Sequence, residues 1–441
     1  MAAAEEVQLY LKVTMTKESC KVLFRPCLPI VRLLIKHYGE DAPILGSLSS
    51  LYAGLLNLDS SHFCTEKGKL LLLNPRNSSG HQCRRLKLKI DDTPPIQYFT
   101  CKNRTCVSIY YSVKCHCSNS NTELITKDLE IEAQSGEKSV FTVQTASCIL
   151  TDDLQILTNS PASVFRILEL NGIDDKNVVE GRKLIVGLKE IMDLLKESLV
   201  SKTLITDHII RDKILGAATS NERKKYSASP KYVPVPPQTQ TREHISLDSK
   251  KITVKAIVQK STNRILVAQT WEDFADFLFS LLAIPLGRVQ FLLGNNTCFY
   301  SIDNLYRSIS SLEDLKYVKS RETMARILEP RIPPYNLSSY QIYSSTLAKN
   351  ENDRPKRPRK FCERTHDIYG VTDDLVVSTP SSTSIVSILN KMEIPLSDVE
   401  ERELDIGMEE ALSILKASLT STSALTDGLK PFLTRKPEEE K

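Results

Sequence analysis

The chain is written twice. TDDLQILTNSPASVFRILELN from Thr151 and TDDLVVSTPSSTSIVSILNKM from Thr372 agree without a gap at 9 of 21 positions. GLKEIMDLLKESLVSKTLITD from Gly187 and GMEEALSILKASLTSTSALTD from Gly407 agree again at 9 of 21, in the same order and at almost the same spacing. Self-similarity at so long a period makes each half one structural unit, and two long copies do not make a solenoid, which stacks many short ones.

The contents of the unit follow from its periodicities. LYLKVTMTKESCKVLF and ITVKAIVQKSTNRILV each place two apolar runs around a polar, turn-prone middle, which predicts a β-hairpin. SSLYAGLLNLD parallels DNLYRSISSLE, with Leu51, Leu55 and Leu58 against Leu305, Ile309 and Leu312, a spacing that predicts an amphipathic helix. LLLLNPR and ARILEPR then end both segments at a proline, which cannot continue a helix. Asp152, Asp153, Asp373 and Asp374 fall at turns after β-prone runs, and Ser160 and Ser381 stand as N-caps before helical runs. Ile191, Leu194, Leu195 and Leu199, like Ala411, Ile414, Leu415 and Leu419, predict a helix behind each of Gly187 and Gly407.

The expected fold is α+β, two tandem copies of one module reading hairpin, helix, variable insert, strand and two helices. The first module spans 5–216, with a four-cysteine insert at about 98–119. A polar, proline-rich linker takes 217–248, the second module 249–430 with a basic loop at about 349–361, and a disordered tail 431–441. FADFLFSLLAIPLG from Phe274 reads as one core helix, too short and too polar at Asp276 to span a membrane, which takes roughly 20 apolar residues. Trp271 heads it as a core or interface anchor.

FADFLFSLLAIPLGRVQFLLG, LYRSISSLEDL, TDDLVVSTPSSTSIVSILNKM and LLKASLTSTSALTD together resemble the plant family catalogued as domain of unknown function 674, across nearly the whole chain and in tandem order. The resemblance implies a four-cysteine insert ending in a C-x-C pair, which maps onto Cys101, Cys106, Cys115 and Cys117. It implies architecture only, because the family carries no assigned activity.

Those four cysteines, among eleven in the chain, are spaced C-x4-C-x8-C-x-C, two close pairs separated by the β-prone VSIYYSVK. Four thiols at one end of a hairpin can hold a tetrahedral zinc ion, and such a closed site is structural. The N-terminus shows no basic region followed by an apolar one, so a reducing, cytoplasmic or nuclear location is expected, where clustered thiols are more often metal ligands than disulfides. Lys102, Arg104, Lys114 and His116 stand near to offset the negative charge of four thiolates. An unmetallated cysteine-rich hairpin and a redox centre remain alternatives.

A net charge of +4 over 441 residues makes no strong field, so a nucleic-acid reading rests on the local patch Arg354, Lys356, Arg357, Arg359 and Lys360. No phosphate-binding glycine loop is present, and the seven histidines share no motif. The repeated aspartates offer a paired-carboxylate site, against the simpler reading that they are turn residues. The expectation is therefore a non-catalytic protein-binding or scaffold module with structural zinc and an unknown protein partner, away from membranes. A nucleic-acid binder using the cysteine hairpin and basic loop is the alternative, and an enzyme built on the TDDL turns a weaker one.

Overall fold

The apolar positions Leu48, Leu51 and Leu55 form one face of helix α1, Gly46–Asn57, with Leu51 and Leu55 fully buried, and Leu58 follows just past its end. The computed structural model describes residues 45–63, 66–75, 99–100, 107–108, 148–170, 188–199, 201, 251–311, 321–330, 362, 368–378 and 385–433. The expected front hairpin of the first copy, the 217–248 linker, Ser381 and the basic loop lie outside these residues.

Helix α2, Glu66–Leu73, ends just before Pro75, as the proline dictates. Strands β1, Phe99–Thr100, and β2, Val107–Ser108, pair antiparallel. β3, Cys148–Leu150, and β4, Ile156–Thr158, form a second hairpin around the first TDDL turn. Helix α3 is Pro161–Leu170, and its expected cap is present: the Ser160 hydroxyl accepts the Ser163 N–H at 3.2 Å. Helix α4 is Leu188–Glu197.

In the second half, β5 (Ile252–Gln259) and β6 (Arg264–Thr270) make the predicted hairpin. Its turn closes on Asn263 at φ 54°, a left-handed position that asparagine tolerates. The helices α5 (Glu272–Leu281), α6 (Leu286–Leu292), α7 (Tyr300–Ser311) and α8 (Arg321–Leu328) follow. The expected single helix from Phe274 is thus two, bent by 110°, because Pro285 lacks the N–H needed to continue and instead caps α6. Trp271 is likewise not a core residue: it precedes α5 and is 51% exposed, while Phe274, Phe277 and Phe279 are buried. Among the described residues no single helix is long and apolar enough to cross a membrane.

β7 (Tyr369–Thr372) and β8 (Val377–Ser378) surround the second TDDL turn, followed by α9 (Ile385–Lys391), β9 (Val399–Ile406), α10 (Met408–Thr420) and α11 (Ala424–Leu433). Five strands join in one antiparallel sheet of order β8-β7-β6-β5-β9. The fold is mixed α/β, in keeping with the α+β class, but the single strand expected before the last helices is a hairpin plus β9. Asp398 locks β9 to the β5–β6 turn, accepting from Ser261 Oγ at 2.6 Å, Ser261 N at 2.9 Å and Gln259 Nε2 at 2.8 Å. Those hydrogen bonds hold its carboxyl below the usual range.

One face of the sheet carries Val254, Ala256, Val258, Ile265, Tyr369, Val371 and Val377 into a core shared with α1, α5, α10 and α11. Ile257 points to the other face by strand alternation, and the bulge there leaves Leu266 of β6 without a partner in the ladder; the two meet Leu389 of α9 on that face. Helices α10 and α11 pack closely: a Cβ on Gly428 would lie 2.9 Å from Ile414 Cα. Gly428→Ala is expected to lower stability by about 1–3 kcal/mol through forced separation of the two helices, read as a lower urea midpoint at unchanged slope.

Candidate functional site

The repeated TDDL motif is the feature both halves share, and both copies of it are described. In each, the threonine N–H donates to the carbonyl four residues on, at 3.0 Å from Thr151 to Gln155 and 3.1 Å from Thr372 to Val376. The leucine N–H returns to the threonine carbonyl, at 3.0 Å for Leu154 and 2.9 Å for Leu375. Both leucines are left-handed, φ 61° and 67°, and both are buried. The threonine hydroxyl donates to the second aspartate, at 2.5 Å from Thr151 to Asp153 and 2.5 Å from Thr372 to Asp374. A leucine pays a conformational cost in that region, so burial of its side chain and the closed hydrogen-bond ring must hold it there.

Beyond the ring the two copies use different aspartates to reach other elements, the second, Asp153, in the first copy and the first, Asp373, in the second. Asp153, 2% exposed, also accepts from Gln155 Nε2 at 2.8 Å and from Asn304 Nδ2 of α7 at 2.8 Å. Asp373 accepts from Arg264 Nε of β6 at 3.1 Å and from the Thr426 N–H in the first turn of α11 at 2.8 Å, and its carbonyl accepts the Leu425 N–H at 3.2 Å. It therefore satisfies orphan donors at a helix start. Asp153 and Asp373 are each a joint between elements.

Burial pushes the Asp153 carboxyl above the usual 3.8, with the bonds from Thr151 and Gln155 pulling the other way. A folded-state value raised above the unfolded one means that this group's stabilisation is complete below the unfolded value and is lost as pH rises through the folded value. Asp153→Asn removes that titration while keeping an acceptor for Asn304. The variant is expected to gain on the wild type in urea midpoint as pH rises above about 4. A wild type that gains on the variant over the same range would show that the site prefers the anion.

A second feature was not legible as a motif. At the start of α7 a polar cleft of about 410 Å³ is lined by Asn295, Asn296, Cys298, Tyr300, Asp303 and Arg307. Asp303 organises it, accepting from Thr297 Oγ1 at 2.6 Å and from the Thr297 N–H at 3.2 Å, and burial raises its carboxyl above the usual range. Only the turn-prone LGNN run before it signalled an irregular loop.

Cys101, Cys106, Cys115 and Cys117 lie outside the described residues, as do Arg354, Lys356, Arg357, Arg359 and Lys360. What is described around the first cysteine pair is the ladder: Thr100 pairs with Val107 and Phe99 with Ser108. Among the described residues no group of three or more His, Cys, Asp or Glu side chains is arranged to hold a metal ion. Cys362, next after the basic loop among the described residues, is fixed: its N–H donates to the buried Asp276 carboxylate at 2.6 Å, and it bridges to Phe63.

The sheet, its helical cover and the two ring-closed turns define a mixed α/β protein with the same turn built at Thr151 and at Thr372. The chain belongs to the family described as Protein of unknown function (DUF674), whose model matches residues 23–367, 344–407 and 361–440. No curated relative and no solved structure matches it.

Proposed function

We propose that the protein is a non-catalytic protein-binding scaffold, made of two copies of one α+β module, with a structural zinc site on Cys101, Cys106, Cys115 and Cys117. The observation that carries the non-catalytic reading is the use of the repeated aspartates: Asp153 and Asp373 are both occupied in joining elements, to α7 and α11 respectively. The two-copy reading is supported by the matching hydrogen-bond rings at Thr151 and Thr372. The zinc reading is supported by the β1–β2 ladder, whose last paired residues, Thr100 and Val107, adjoin Cys101 and Cys106 in the chain. Four thiolates would bind zinc with roughly 10–16 kcal/mol of apparent free energy, enough to order a short insert. The diverged inserts give the two modules different surfaces for a protein partner.

Elemental mass spectrometry on wild-type protein beside the Cys115→Ser/Cys117→Ser double variant tests the zinc site. About one zinc per chain, lost in the variant, is expected. Protein purified without chelators and found free of zinc would remove it. Cross-linking to bound partners then separates the two binding classes. Protein cross-links at the inserts support the scaffold. Nuclease-sensitive binding that collapses with salt and with alanine at Arg357 and Arg359 would replace it with a nucleic-acid binder.

A further inference from the structure

We infer that the two modules are intertwined, each lending one helix to the other, so that what the docking slot of each module recognises is the helix of its sister. The inference rests on the two-copy reading above. α1 and α7 are the matching helices, aligned through Leu51 with Leu305 and Leu55 with Ile309, all four buried. Yet α1 of the first copy packs on β8 and α10 of the second, while α7 of the second copy packs on β4 of the first.

The joints correspond residue by residue. Ser47 Oγ donates to the Ser421 carbonyl at 2.7 Å, beyond the end of α10. Its counterpart Ser301 donates to the Ser201 carbonyl at 2.9 Å, beyond the end of α4. Ser201 and Ser421 are themselves matching positions. Gly54 faces the hairpin of the other copy closely enough that a Cβ would sit 3.3 Å from Val376 Cγ1 and 3.4 Å from Val377 N. At the matching place Ser308 uses that space, its hydroxyl accepting the Ile156 N–H at 3.0 Å. Ile156 and Val377 match in turn.

Each slot thus takes a helix with a small residue against the hairpin and a serine at its start. The rest of the 45–75 segment follows α1 onto the second copy: Phe63 stacks near Phe279 at 5.9 Å, and the Tyr369 hydroxyl donates to the His62 carbonyl at 3.3 Å. A face so occupied is closed to outside partners, which leaves the inserts and the outer sheet face for them.

Hydrogen exchange on the full chain tests this, comparing wild type with Gly54→Leu and with Ser308→Ala. Gly54→Leu, in the first copy, is expected to speed exchange in 369–378, and Ser308→Ala, in the second, to speed it in 148–158, each roughly tenfold, the scale of one unmade buried hydrogen bond. Loosening confined to each variant's own copy would overturn the exchange and leave the two-copy reading standing. Crossing by Gly54→Leu alone would overturn reciprocity and the two-copy reading with it. Should a variant fail to fold, a protease site placed within 217–248 of the otherwise unchanged protein serves instead. The cut halves are expected to co-elute on size exclusion, and folded halves that separate would overturn the proposal.

Discussion

Gly46→Val is expected to destabilise the protein by about 4 kcal/mol, the larger of the two strongest single-residue effects. Gly46 opens α1 at φ 46°, where a left-handed L-residue costs roughly 1–2 kcal/mol and a β-branched one is an outlier. A Cβ there would also lie 2.8 Å from Ser418 O, Ser421 O and Thr420 N, all backbone atoms that cannot swing aside. Overpacking of that kind adds roughly 1–3 kcal/mol. Gly294 provides the control. It too is left-handed, at φ 62°, but a Cβ there meets nothing within 4 Å, so Gly294→Ala should show the conformational cost alone, about 1 kcal/mol. Urea unfolding of both variants checks the difference. A loss at Gly46 no larger than at Gly294 would mean that α1 does not seat on the end of α10.

The second large effect is at Glu329. Arg288 of α6 is completely buried, with its guanidinium 2.6 Å from Glu329 Oε1 and 4.8 Å above the Phe291 ring. The glutamate side chain keeps 38% of its exposure. The two partners are therefore unequal. Glu329→Ala leaves a charge buried without its carboxylate and is expected to cost about 3 kcal/mol, the low end for a broken buried pair because one partner is solvated. Arg288→Met removes the buried charge, fills much of the same volume and leaves a glutamate that water can reach, so it should stay within about 1.5 kcal/mol of wild type. Thermal or urea unfolding of the two single variants is sufficient. If the arginine variant proves the weaker protein, packing and not desolvation governs the site.

Much of the local structure was legible. Alternation in ITVKAIVQ and RILVAQT gave the β5–β6 hairpin, and the prolines after Leu73 and Leu328 marked two helix ends. The TDDL aspartates were readable as turn residues, though their reach to Asn304 and Thr426 was not. β9 was hidden because VEERELDI carries five charges in eight residues. Among the described residues it is an edge strand paired on one side, where exposed charge is tolerated and guards against unwanted pairing. Which helix covers which hairpin could not be read at all. In a sequence that repeats itself, helix-to-hairpin pairing within a half and between halves satisfies the same apolar pattern. Where the two segments align, Gly46 stands against Tyr300 and Gly54 against Ser308. For the candidate site, the cysteines and basic residues were legible as chemistry, but their arrangement lies outside the described residues.

The bond from Ser47 to Ser421 spans 374 residues. At a synthesis rate of 5–20 residues per second, α1 leaves the ribosome roughly 20–75 s before the carbonyl that receives it exists. For that interval Leu51 and Leu55 have no seat, and the emerging first half presents an unburied apolar stripe to the cell. Long-range closure of this kind is slow and exposes the chain to aggregation. A nascent chain stalled before α10 should therefore be a chaperone client, and emergence of α10, rather than completion of the first half, should be the event that frees it.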